Sequence, residues 1–101
     1  GKIAAQCCHA AVHCVEKAQE VAPALLFRWE ESNGTAKVCL KCDSEEQLLA
    51  LARDAKAAGV VHSLISDAGR TQIAAGSRTV LGLGPAPISK LDAITGSLKL
   101  L

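Results

Sequence analysis

Aromatic side chains are nearly absent. Phe27 and Trp29 are the two in the chain, so its core must be built from Leu, Val, Ile and many Ala, a composition suited to closely packed helices. The same scarcity disfavours recognition of nucleic acid by stacking bases on aromatic platforms. Long hydrophobic runs are missing too: stretches such as "LLF" at 25–27 cannot span a bilayer, so the sequence contains no membrane segment. Nor does either sign of charge dominate. A net charge of +1 argues against a protein that coats nucleic acid indiscriminately, while leaving open a basic face balanced by an acidic one. Several cofactor signatures are likewise lacking. "GLGPAP" has no third glycine and runs into prolines, so it is not a dinucleotide fingerprint, and no GKS or GKT phosphate loop occurs. There is no HExxH and no second ligand cluster at finger spacing, so no metal is expected.

What is present fits one soluble α/β domain over residues 1–101. The length is that of a single hydrophobic core, half the residues are apolar and about a fifth are charged. Five cysteines, an odd number without a visible secretory signal, read as reduced thiols of an intracellular protein. From Ile3 to about Gln19 the pattern is helical, with Ile3, Cys7, Ala10, Ala11, Cys14 and Ala18 on one apolar stripe expected to face the core. A shorter helix follows Pro23 through "ALLFRWEE", and "NG" at 33–34 marks a turn. Ser44 with Gln47 resembles a capping box opening a helix from about Glu45 to Ala58, ended by Gly59. "KVCLKC", "VVHSLIS" and "TVLGLG" read as three short strands, and a last helix runs from about Ile88 to Thr95. Helices alternating with short buried strands predict a sheet covered by helices.

Two groups of residues could carry chemistry. Asp67, Arg70, Thr71 and Gln72 offer an acceptor, a bidentate donor, a hydroxyl and an amide within a glycine-rich loop, at the point where "VVHSLIS" runs out. Such a loop can grip a polar ligand or simply satisfy itself. Lys2, Gln6, His9 and His13 recur at intervals of four, three and four, forming a polar helical stripe that could line a site or face solvent. The "CLKC" spacing does not make a metal or disulfide site, because residues 39 and 42 of a strand point to opposite faces. Buried free cysteines are the expectation there.

Taken together, "GKIAAQCCHAAV", "DAGRTQIAAGSRTVLGLGPAP" and "ITGSLKLL" resemble, in order and separation, the archaeal and eukaryotic (type 2) peptidyl-tRNA hydrolases over nearly the whole chain. The resemblance implies a three-layer α/β/α domain with a mixed, mostly parallel sheet. It also implies hydrolysis of the ester that joins a stalled peptide to the terminal ribose of tRNA, without a cofactor. It places the family's lysine at Lys2, its first-helix glutamine and histidine at Gln6 and His9, and its aspartate and threonines at Asp67, Thr71 and Thr79. The family's first strand is expected before Gly1, so the chain reads as N-terminally truncated. Ala75 stands where the family usually has proline, a difference that should loosen the loop by about 0.4 to 1 kcal/mol through unfolded-state entropy.

Ester hydrolysis needs a positioned water, a proton acceptor and donors for the developing oxyanion. On this resemblance Asp67 orients or deprotonates water, with His9 the alternative base. Lys2 stabilises oxyanion charge or a nearby phosphate, and Thr71 and Thr79 position the ester. Gln6, Arg70 and Gln72 bind the substrate, Gln6 and Arg70 at the 3′ end of the tRNA. A homodimer is implied, as is a cytoplasmic location, with mitochondrial association through an N-terminal leader. The rival expectation is a non-catalytic adaptor that uses the same fold to bind protein partners, as in cell-death signalling.

Overall fold

The computed structural model describes residues 1–32, 34–66 and 78–101, with the side chains of residues 78 and 79 outside the description. Among these residues six elements follow in chain order: α1 (Lys2–Val21), α2 (Pro23–Glu31), α3 (Glu45–Ala58), β1 (His62–Ser66), β2 (Arg78–Leu83) and α4 (Ile88–Thr95). The chain is therefore mixed α/β.

Local chemistry accounts for the boundaries. α1 is rich in alanine, and its small apolar stripe lets it approach its neighbours closely; Ala10, Cys14 and Ala18 are its buried residues. The stripe faces the core along its middle and end, whereas Ile3 is 62 % exposed. Pro23 occupies the first turn of α2, where its missing N–H costs nothing. α3 opens on the first half of a capping box, the Ser44 hydroxyl accepting from the Gln47 amide at 3.1 Å, while Gln47 Oε1 reaches one residue further back and accepts from the Asp43 amide at 2.8 Å. It closes on Gly59, whose φ of 70° is the left-handed conformation that glycine adopts without penalty.

β1 and β2 pair antiparallel, from His62 with Leu83 to Ser66 with Arg78. Burial alternates along β1, with Ser63 and Ile65 buried and His62 and Leu64 half-buried between them. Packed against these strands are α1 and α3, and the buried side chains Leu26, Leu48, Ala55, Val60 and Ile65 complete the core. Burying a side chain such as Leu26 or Ile65 contributes about 1.5 to 3 kcal/mol.

Two expectations are corrected. The mostly parallel sheet is not seen: among the described residues the sheet has two strands, and they are antiparallel. Residues 67–77 are a shorter link than the crossover of a dozen or more residues that parallel neighbours require. "KVCLKC" is not a ladder strand either. Its regular pairing is one isolated bridge, Leu40 with Leu100, flanked by hydrogen bonds from the Lys41 amide to the Lys99 carbonyl and from the Leu101 amide to the Cys39 carbonyl. Its ladder partner is only the last few residues of the chain, and Val38, Leu100 and Leu101 stay exposed, as does Cys39, against the expectation of burial.

Candidate functional site

The site begins with how α1 lies on the strands. Lys17 Nζ donates to the His62 carbonyl at 2.5 Å, and one turn earlier His13 Nδ1 lies 3.4 Å from Ser63 Oγ. Strand numbers thus rise as helix numbers fall, so α1 runs antiparallel to β1. At about 1.5 Å per helical residue, Gln6 lies roughly 10 Å beyond His13 along the axis; at about 3.3 Å per strand residue, Ser66 lies roughly the same distance beyond Ser63. The Gln6–His9 turn therefore runs alongside the carboxyl end of β1, with Lys2 a further turn out.

A close approach fixes this arrangement. An added Cβ on Gly82 of β2 would sit 2.8 Å from Cys14 Sγ, 3.0 Å from the Ala10 carbonyl oxygen and 3.2 Å from Ala10 Cβ. Only a residue without a side chain lets α1 rest this tightly on β2. Burial pushes the Cys14 thiol up from its ordinary value near 9, with nearby Lys17 acting in the opposite direction.

Lys2 is exposed at the first residue of α1, His9 is exposed, and Gln6 and His13 are half-buried. The expected polar stripe is thus partly a packed face: His9 and His13 rings stand 4.5 Å apart between centroids at 44°, and His13 reaches Ser63. Asp67, Arg70, Thr71 and Gln72 lie outside the described residues, between Ser66 and Arg78, which are paired neighbours. Thr79 belongs to β2. Ile65 pairs with Val80 and Ser66 with Arg78, so Thr79 is the extra residue of a bulge, an irregularity concentrated at sheet edges and beside active sites.

Other groups offer less. All five cysteines are free. Cys7 is raised above its ordinary value by burial first and then by neighbouring Cys39 and Cys8. A raised value means a protonated thiol at neutral pH, which is the wrong state for a nucleophile. Among the described residues no group of three or more His, Cys, Asp or Glu could hold a metal ion, and no helix is long and apolar enough to cross a membrane.

The family "Peptidyl-tRNA hydrolase PTH2" matches residues 1–101. The chain belongs to that family. It is 54 % identical over 100 residues to the Bos taurus protein named "Peptidyl-tRNA hydrolase 2, mitochondrial", covering 99 % of this chain and 55 % of the relative. It is 51 % identical over 106 residues to "Peptidyl-tRNA hydrolase 2" of Saccharomyces cerevisiae, covering 99 % of this chain and 50 % of the relative. With "Peptidyl-tRNA hydrolase" of Methanococcus vannielii it shares 45 % identity over 101 residues, covering all of this chain and 86 % of the relative. The chain spans about half the length of the first two relatives.

Within this PTH2 chain, sequence reasoning overlooked Ser63. A signal was available: in "VVHSLIS" the serine falls on the same alternating face as Ile65, where an apolar residue would be expected. His13, Glu16, Lys17, Glu20 and Ser63 line an open cleft of about 290 Å³ on that side of α1.

Proposed function

We propose that the protein carrying this chain hydrolyses the ester between a peptide, or an N-blocked amino acid, and the terminal ribose of tRNA, returning free tRNA to translation. The observation that carries the reading is the antiparallel run of α1 along β1. It sets the Gln6–His9 turn beside the strand end from which the sequence continues into Asp67. Family membership supports the same reading.

In the proposed reaction a water oxygen attacks the ester carbonyl, the bond to the ribose oxygen breaks, and the ribose oxygen leaves with a proton. Asp67 orients the water and takes its proton, with His9 as the alternative base. Lys2 offers positive charge to the developing oxyanion or an adjacent phosphate. Thr71 and Thr79 position the ester, while Gln6, Arg70 and Gln72 bind the substrate, Gln6 and Arg70 at the 3′ end of the tRNA. The finer architecture we propose is a single three-layer α/β/α domain over residues 1–101, acting as a homodimer in the cytoplasm or in association with mitochondria. The word "mitochondrial" in the bovine relative's name supports the last location.

One observation favours a second reading, a protein-binding adaptor: the apolar side chains Val38, Leu100 and Leu101 are exposed around the Leu40–Leu100 bridge. Turnover of peptidyl-tRNA by the full-length protein and its Lys2→Ala variant separates the two. The hydrolase reading expects turnover and a fall of about 10²- to 10³-fold in kcat in the variant, the scale of losing one preorganised donor. Absence of turnover in a well-folded wild type would favour the adaptor.

A further inference from the structure

We propose that His13 and Ser63 are positioning residues that hold the His9 imidazole in its working orientation beside the carboxyl end of β1. This rests on the role assigned to His9 above and extends the site to two residues which that role does not include.

His9 and His13 are four residues apart on α1, the spacing that sets two side chains one above the other on a helix face. Their ring centroids lie 4.5 Å apart. The His13 ring is in turn tied to the sheet, with Nδ1 at 3.4 Å from Ser63 Oγ. Ser63 is 7 % exposed and held in the β1 ladder opposite Gly82, so its hydroxyl has little access to water and needs a protein partner. When that hydroxyl donates to His13 Nδ1, the proton of the neutral imidazole sits on Nε2 and the ring plane is set by the strand. The order strand, Ser63, His13, His9 then passes the fixed position of the sheet to an exposed ring. Docking of the helix does not call for this bond, because Lys17 on the His62 carbonyl and the close seat of Ala10 and Cys14 against Gly82 already fasten α1 to the strands. Glu16, Lys17 and Glu20 share the cleft with His13 and Ser63.

The test uses the full-length protein and N-acetyl-aminoacyl-tRNA, with kcat and KM measured separately and thermal melts matched across variants. His13→Ala and Ser63→Ala should each lower kcat about 10-fold with KM unchanged, the low end of what removing an orienting partner of a functional imidazole costs. Ser63→Thr, which keeps the hydroxyl, should restore most of the loss. Adding His13→Ala to His9→Ala should cost nothing beyond His9→Ala alone, since residues that act through one another are non-additive. Wild-type kcat in His13→Ala, or full additivity with His9→Ala, overturns the proposal while leaving the hydrolase reading intact. Wild-type kcat in His9→Ala overturns it together with the role of His9, and an inactive wild type overturns it together with the hydrolase reading. Nitrogen-15 spectra of the histidines give a readout independent of turnover: the proposal expects His13 as the Nε2–H tautomer, changed in Ser63→Ala. An Nδ1–H tautomer in the wild type contradicts it.

Discussion

Replacing Gly82 with alanine tests the helix-on-strand contact from which the site is built. The new methyl would lie 2.8 Å from Cys14 Sγ and 3.0 Å from the Ala10 carbonyl oxygen, inside contact distance of both. The thiol is buried and the carbonyl belongs to the helix backbone, so relief requires α1 to lift off β2. Overpacking of this kind costs about 1 to 3 kcal/mol. For a domain of this size each kcal/mol lowers Tm by about 4 to 8 °C. Lifting α1 also displaces the Gln6–His9 turn from the end of β1, and a misplacement of about 1 Å can cost 10²-fold in rate. We therefore expect Gly82→Ala to lower both Tm and kcat. Adding Cys14→Ala, which removes the nearest clashing atom, should recover part of the stability, giving a coupling of at least about 0.5 kcal/mol in a double-variant cycle. Calorimetry and single-turnover release of tRNA read the two effects. A variant with unchanged Tm and kcat would refute the claim that this close approach positions the site.

Three further outcomes follow from the same structure. Ser44→Ala removes the acceptor for the Gln47 amide at the start of α3 and should destabilise by about 0.5 to 2 kcal/mol, read from urea midpoints. Cys14 titrates higher in the folded than in the unfolded chain, so above about pH 9 the folded state holds more protons and its stability falls as pH rises. That decline should be shallower in Cys14→Ala, and an equal decline across the urea midpoints of both proteins would contradict the assignment. If phosphate contacts hold the tRNA, affinity should drop by close to one decade per decade of salt for each phosphate neutralised; a flat response points away from RNA.

The helices were legible because their signals are local. Pro23, the Ser44–Gln47 cap and Gly59 each act within a turn, and the structure puts α2 at Pro23–Glu31 and α3 at Glu45–Ala58. "VVHSLIS" and "TVLGLG" were legible as strands for a similar reason, since alternation and β-branching are properties of a short stretch. Their direction was not: whether neighbours run parallel or antiparallel depends on the path between them, and strand composition carries no record of it. "KVCLKC" has the composition of a strand, yet a ladder needs a partner of matching length, and here the segment finds the few residues around Leu100. Of the candidate site, the stripe of Lys2, Gln6, His9 and His13 could be read from periodicity, but its division into exposed and packed members could not. For His13 the packing involves Ser63, distant in sequence, which meets it because α1 lies antiparallel to β1.

In the proposed function, residues at the end of β1 and along the first turns of α1 form one hydrolytic site. The most direct test is release of free tRNA from N-acetyl-aminoacyl-tRNA by the full-length protein and its Asp67→Asn variant, at saturating substrate and with folding verified. Turnover is expected in the wild type, with a loss of about 10²-fold or more in the variant, in line with removal of a general base. Equal turnover by the two proteins, or none by a folded wild type, would contradict that expectation.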